Sequence, residues 1–290
     1  MAYKVDNAVV MAAGTSSRFA PLSYEMPKAL IEVKGEILIE RQIRQLQEAG
    51  ISQIVLVTGY KKEQFEYLKD KFGVILVENK EYLSRNNNAS IYAVKAYLKN
   101  TYICSADNYF CRNPFEKEVS DAYYAAVYAK GETNEWCMKE DAEGNINEVI
   151  IGGKNAWYML GHAFWNEEFS RKFVKILESV YEIPETAGLL WESIYAAHLD
   201  GLKLKMRKYP PDYIFEFDTL DELRVFDSSY VNNTRSGILK TAAQDLHCRE
   251  ADITAIQSIR SSNNTAAGFT FIVGQNCYEY IYETEKIRRI

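Results

Sequence analysis

The stretch Ala8-Val9-Val10-Met11-Ala12-Ala13-Gly14-Thr15-Ser16-Ser17-Arg18-Phe19 decides how this chain folds. Four apolar residues, suited to burial in a sheet, break into a run of small ones, and Pro27-Lys28-Ala29-Leu30 follows shortly after. A buried strand that ends in small residues leaves backbone N–H groups open to a phosphate, because no bulky side chain blocks its approach. Arg18 and Lys28 add fixed positive charge to the same segment. Ala12, Ala13, Gly14, Thr15, Ser16 and Ser17, with Arg18 and Lys28, therefore read as a triphosphate-binding turn. The segment contains neither G-x-G-x-x-G nor G-x-x-x-x-G-K-[ST], and a plain tight turn into a helix is the competing reading.

Outward from this loop, apolar runs at 8–11, 53–57, 74–77, 101–105 and 122–127 alternate with helical patterns at 38–49, 63–71 and 90–98. This alternation predicts an α/β fold with a mostly parallel central sheet. Such sheets bind ligands outside the carboxyl ends of their strands, where strand order reverses. The loop at 12–18 leaves the first strand at that edge, and Asp107 follows the strand at 101–105. Beyond Trp136 the pattern is less regular: a hairpin around Glu143-Gly144-Asn145, a strand at 157–164, helices at 167–180 and 189–198, and strands at 204–208 and 214–217. This half is expected to cover an acceptor substrate. The polar run 227–237 reads as a linker. It divides a domain at 1–230 from a small α+β appendage at 237–290, with a helix at 238–246 and strands at 253–259, 269–273 and 278–282.

The 290 residues suffice for one substantial core and a small appendage, and their net charge of −6 argues against a nucleic-acid partner, which recruits clustered Lys and Arg. Cys104, Cys111, Cys137, Cys248 and Cys277 are scattered and suggest neither a zinc site nor a disulfide framework. No signal-peptide or membrane-spanning pattern is evident, so a cytoplasmic protein without membrane insertion is expected. His162, His198 and His247 lack the mutual spacing that metal binding or acid–base work requires, and read as structural.

Nucleotidyl transfer builds negative charge on the attacked α-phosphate, which cations must meet. Mg²⁺ takes carboxylate and phosphate oxygens, so one or two acidic side chains can hold it. Asp107 at a strand end is one candidate. Glu216 and Asp218 are the others, since strand alternation points them to one face. Each has an ordinary alternative: an N-cap or Asx turn for Asp107, and an exposed strand face followed by a helix cap for Glu216 and Asp218.

These residues resemble the bacterial CTP:phosphocholine cytidylyltransferases, within a larger nucleotidyltransferase group that includes the sugar-1-phosphate enzymes. The landmarks are Ala12-Ala13-Gly14 with Ser17-Arg18-Phe19, Pro27-Lys28-Ala29-Leu30, Gly59-Tyr60 with Glu63-Gln64-Phe65, Asn86-Asn87, Ala106-Asp107-Asn108, Thr133-Asn134-Glu135-Trp136 and Glu216-Phe217-Asp218. The resemblance implies a Rossmann-like nucleotidyltransferase fold in which Arg18 and Lys28 hold the triphosphate of CTP. It puts Ala13, Gly14 and the segment containing Asn87, Ala89 and Ser90 against the cytosine, and Mg²⁺ on Asp107 with Glu216 or Asp218. The acceptor's phosphate is then the nucleophile, and the catalytic residues are Arg18, Lys28 and Asp107.

Trp136 matches the family's tryptophan for a quaternary ammonium. The later helix departs from the family pattern, with Gly188 and Leu190 before Trp191. Phosphoethanolamine or 2-aminoethylphosphonate thus stays beside phosphocholine as acceptor, with Glu192 or Glu135 as ammonium partner. For Trp136, Trp165 and Trp191 core packing is the ordinary alternative. Ser16 replaces the glycine usual in the wider group, a change expected to be tolerated if its φ is negative. The tail is similar to the start of the small lobe of choline/ethanolamine-kinase-like proteins, in Asp252-Ile253-Thr254, Phe269-Thr270-Phe271-Ile272-Val273 and Tyr278-Glu279-Tyr280-Ile281-Tyr282. It carries no lysine in the last of these strands and stops before a catalytic lobe, so no kinase activity is expected. Two rival functions are a sugar-1-phosphate nucleotidyltransferase and a nucleotide-binding regulatory protein without turnover. A homodimer is left open.

Overall fold

Ala8, Val9 and Val10 are fully buried and form β1 (Asn7–Ala12), a strand in the middle of a seven-stranded sheet. The computed structural model describes residues 2–261 and 265–290. They form two compact units: residues up to Gly14 with Ile39–Glu216, and Thr15–Leu38 with Phe217–Ile290. This division does not follow the one read at 230–237.

In the first unit, β1 pairs in parallel with β2 (Ile54–Thr58) and β4 (Thr101–Ser105), and β2 in parallel with β3 (Ile75–Glu78). A long antiparallel ribbon of β5 (Tyr123–Glu140) and β6 (Ile146–Trp165) continues the sheet, and β7 (Lys205–Tyr209) lies parallel on β5. The order is β3-β2-β1-β4-β6-β5-β7. The crossovers from β1 and β4 run to opposite sides, so the crevice predicted for such sheets opens at the carboxyl ends of these two strands.

Helix α1 (Leu38–Glu48) buries Ile39, Ile43 and Leu46, at the spacing of one helical face. The stretches read as single helices at 63–71, 90–98 and 189–198 are shorter. In their place stand α2 (Tyr67–Phe72), α3 (Asn88–Ala93) and α5 (Trp191–Ala196), with tight turns Lys62–Phe65, Lys95–Tyr97 and Pro184–Gly188 beside them. Helix α4 (Glu167–Val180) starts where Asn166 accepts from the Phe169 N–H at 2.8 Å and buries Phe169, Phe173 and Leu177. Trp165 lies between them and α5, its ring centroid 4.7 Å from Phe173 and 5.0 Å from Trp191. Each such aromatic contributes about 1.5–3 kcal/mol by burial.

The separate strands expected at 122–127 and 157–164 are the buried ends of the β5–β6 ribbon, whose hairpin does fall at Glu143-Gly144-Asn145. Beyond Tyr128 the ribbon is largely exposed or half-buried and shifts register several times. Those shifts break the alternation that would identify a strand in sequence.

In the second unit the expected linker is structured. Asp227 accepts from the Lys34 N–H at 2.7 Å and the Ser229 N–H at 3.1 Å; Tyr230, Thr234 and Ser236 are buried. Its short polar side chains bond the backbone locally, so polarity here does not mean a free chain. Helix α6 (Leu220–Phe226) begins with a capping box between Thr219 and Glu222. Helix α7 (Gly237–Asp245) precedes an antiparallel sheet of β8 (Ile253–Arg260), β9 (Ala266–Val273), β10 (Asn276–Ile281) and β11 (Lys286–Arg289). The fourth strand is one the sequence reading lacked. Among the described residues no helix is long and apolar enough to cross a membrane.

After β2, the chain passes so close to the end of β1 that Tyr60 N–H donates to Ala13 O at 3.0 Å. A Cβ on Gly59 would stand 2.9 Å from that same carbonyl and 2.8 Å from the Tyr82 ring. Gly59→Ala should therefore destabilise the protein by roughly 1–3 kcal/mol, read as a lowered midpoint in urea denaturation. A midpoint equal to that of the wild type would show that the Ala13 turn yields freely.

Candidate functional site

Each unit carries its own set of the residues singled out by sequence. In the second unit, Ser16 has φ 48° and ψ 41°, a left-handed conformation that the negative-φ expectation did not foresee. Serine meets a steric cost there that glycine avoids. From this bend the turn Ser17–Phe19 starts, closed by Phe19 N–H on Ser16 O at 2.9 Å. It sets the Arg18 guanidinium 2.6 Å from Asp218 Oδ2, with the Arg18 side chain 70% exposed. Lys28 is the opposite case: its side chain is 5% exposed, with Nζ 3.9 Å from Asp218 Oδ1 and 5.8 Å from the centre of the Phe19 ring. A buried ammonium needs a nearby anion to offset its desolvation. Asp218, preceding the capping box, supplies one, and Glu222 accepts from its N–H at 2.7 Å.

In the first unit, Ala12, Ala13 and Gly14 end β1, and Ala106 N–H donates to Met11 O at 3.1 Å, holding the turn after β4 beside them. Asp107 follows, half-buried. The short pair Tyr109–Phe110 and Ile214–Phe215 is registered Tyr109 to Phe215. This brings the neighbours Asn108 and Glu216 together, with Asn108 Nδ2 donating to Glu216 Oε2 at 3.2 Å. Glu216 and the residue after Asp107 thus share one edge of the unit.

Asn87, expected against a base, makes a different set of bonds. Its Oδ1 accepts from the Trp191 N–H at 2.7 Å and its Nδ2 donates to Glu192 Oε2 at 3.1 Å. Ala89 and Ser90 are buried, and Ser90 Oγ accepts from Asn79 at 3.1 Å. Asn87 thereby links the start of α3 to α5.

The acceptor candidates also separate. Trp191 is 1% exposed, in the aromatic core, where it stacks on Tyr124 at 5.5 Å. Trp136 is half-buried on β5, packed on the edge of the core, and Glu135 is exposed. Glu192 accepts from Asn87 and, on Oε1, from the Tyr124 hydroxyl at 3.2 Å. Burial pushes its carboxyl up to about 7, against the opposing pull of those two hydrogen bonds.

Tyr124 and Tyr158, on the paired strands β5 and β6, complete the arrangement. The Tyr124 phenol is raised first by burial and then by the charges of Glu192 and Glu216. Tyr158 is raised first by burial and then by Glu135 and Glu216. Of these carboxylates Glu192 is the one in hydrogen-bond contact, through the Tyr124 hydroxyl. Both tyrosines were missed in sequence, where each is one of many in an apolar strand. The signal lies in the pairing of β5 with β6.

His162 is buried and bonded to Tyr123 OH at 2.8 Å; burial, then the Arg207 charge, pushes it down to about 3. It is a neutral core residue, as its spacing suggested. Among the described residues, no group of three or more His, Cys, Asp or Glu side chains is placed to hold a metal ion.

Residues 8–160 match the family model of the MobA-like NTP transferase domain. The chain is 34% identical over 225 residues to the choline-phosphate cytidylyltransferase of Streptococcus pneumoniae, covering 78% of this chain and 98% of that protein. It is 35% identical to the 2-aminoethylphosphonate cytidylyltransferase of Lancefieldella rimae, over 79% of this chain and 95% of that one. The solved structure of a CTP:phosphocholine cytidylyltransferase from S. pneumoniae superposes with a TM-score of 0.75 at 34% identity, covering 78% of this chain and 99% of that one. The chain belongs to the MobA-like NTP transferase family and is a nucleotidyltransferase.

Proposed function

We propose that this protein transfers CMP from CTP to a phosphorylated or phosphonate amino alcohol, with phosphocholine the first acceptor. An acceptor phosphate oxygen attacks the α-phosphorus, the bond to the β-phosphate bridging oxygen breaks, and pyrophosphate leaves as the CDP-linked alcohol forms. The observation that carries the acceptor class is the Glu192 carboxylate, held by the Tyr124 hydroxyl at 3.2 Å and by Asn87 Nδ2 at 3.1 Å. A fixed carboxylate suits an ammonium group. The two relatives named for phosphocholine and 2-aminoethylphosphonate chemistry support the same class.

Arg18 and Lys28 serve as the triphosphate's cations, countering charge that builds as pyrophosphate departs. Asp107 with Glu216 or Asp218 would hold Mg²⁺ through carboxylate oxygens, the donors it prefers; the ion would supply Lewis-acid stabilisation of the phosphate oxygens. No protein nucleophile is required, because the acceptor phosphate is anionic already. The acidic net charge disfavours nucleic acid as a partner, and we place the protein in the cytoplasm.

A second reading, a primary ammonium acceptor such as 2-aminoethylphosphonate, is favoured by Trp191. Its withdrawal into the core leaves carboxylate oxygens as the main ammonium partners, and these reward N–H donors that a trimethylammonium lacks. Pyrophosphate release with CTP and Mg²⁺ against phosphocholine, phosphoethanolamine, 2-aminoethylphosphonate and glucose 1-phosphate decides the acceptor. Preference for glucose 1-phosphate, or silence with all four, overturns the proposal.

Asp107→Asn should lower kcat by about 100-fold or more with an unchanged circular dichroism spectrum; wild-type turnover would remove Asp107 from the metal site. A carboxyl with a pKa of about 7 is mostly neutral at pH 6 and mostly ionised at pH 8. The acceptor KM should thus fall as pH rises through that window. In Glu192→Gln it should be about tenfold higher at pH 8 and should lose the part of its pH dependence that is not due to the acceptor phosphate. Parallel pH profiles for the two proteins would dissociate Glu192 from the ammonium.

A further inference from the structure

The C-terminal sheet lies beyond residue 160, where the matched family model ends, and the function proposed above gives it no task. The C-terminal region, this sheet together with the start of α7, nevertheless holds residues 17–25 at three points, all within the second unit. Arg260, the last residue of β8, donates from Nη2 to Ser17 Oγ. The Tyr282 ring, just after β10, stacks on Tyr24 with centroids 3.6 Å apart and planes within 4°. Glu25 Oε1 accepts from the N–H groups of Gly237 and Ile238 at 2.8 and 3.3 Å, at the start of α7.

The same sheet is fixed to the helix that follows Asp218. Arg224 on α6 donates to Ile253 O and Glu250 O, each at 2.7 Å, and Ala255 N–H donates to Asp221 Oδ2 at 3.0 Å. Strand β8 is thus braced on α6 at one end and reaches Ser17 at the other. What it reaches is the strained part of the loop, since Ser17 directly follows the left-handed Ser16 and precedes Arg18. A non-glycine residue keeps φ > 0 only where its surroundings over-determine it. Arg18, largely exposed, is aimed by its ion pair with Asp218 at 2.6 Å, and the turn that carries it sets whether that pair can form.

We propose that Arg260 is a positioning residue for the nucleotide triphosphate: from the C-terminal sheet it clamps Ser17, and so holds the turn that presents Arg18. The proposal rests on the triphosphate reading of that turn. It makes the sheet a working part of nucleotide binding.

The test is calorimetric binding of CTP with Mg²⁺ to the full chain, alongside acceptor KM and Tm, for Arg260→Ala, Arg260→Lys, Arg18→Ala and the exposed control Arg289→Ala. Loss of a charge-assisted hydrogen bond predicts a Kd for CTP raised about tenfold in Arg260→Ala. Acceptor KM and Tm should stay unchanged, Arg260→Lys should recover part of the loss because an ammonium can still donate to Ser17, and Arg289→Ala should match the wild type. A wild-type Kd in Arg260→Ala with a weakened Arg18→Ala overturns the clamp. Wild-type Kd values in both overturn the triphosphate reading instead. If Arg260→Ala does not fold, Arg260→Lys carries the test: a raised Kd at unchanged Tm supports the clamp, and a Kd change that tracks a lowered Tm refutes it.

Discussion

Strand β1 is hydrogen-bonded in parallel on both edges, to β2 and to β4, and this one constraint fixes where chemistry can occur in the first unit. A strand so enclosed needs side chains that tolerate burial on both faces, and Ala8-Val9-Val10 supplies them. It can release the chain toward a ligand only at its carboxyl end. At that end the turns after β2 and β4 are tied to β1 and its exit, Tyr60 N–H to Ala13 O and Ala106 N–H to Met11 O.

The parallel core was legible because its strands are short, apolar and separated by amphipathic helices, so periodicity and burial agree. The β5–β6 ribbon was not, since only its ends are buried and its register shifts erase alternation. Polar residues misled at 227–237 for a related reason: Asp227, Ser229 and Thr234 bond nearby backbone and side chains, and composition cannot distinguish that from solvation. Ser16 shows the limit of reading torsion angles from residue type. Its left-handed φ is held by a loop whose contacts come from more than 200 positions away in sequence, as between Ser17 and Arg260.

The candidate site was legible as a set of charges and less so as an arrangement. Arg18, Lys28 and Asp218 do stand together, which their separation in sequence could not show. The bridge from Asn87 to α5, made by both ends of its amide, could not be read from sequence. Tyr124 and Tyr158 carry no motif at all and become visible only through the carboxylates that act on them.

The trio of Arg18, Lys28 and Asp218 has a consequence for how a nucleotide would be received. If Arg18 and Lys28 receive the triphosphate as proposed, Asp218 stands where a phosphate oxygen would, and nucleotide entry would exchange one anion for another. Fewer loosely held counterions are then displaced into solution than from two bare cations, and the electrolyte dependence of binding is correspondingly shallow. On that reading the internal carboxylate would act as a gatekeeper: inorganic anions of single charge would gain little by replacing it, whereas a polyphosphate, with several oxygens to offer at once, would.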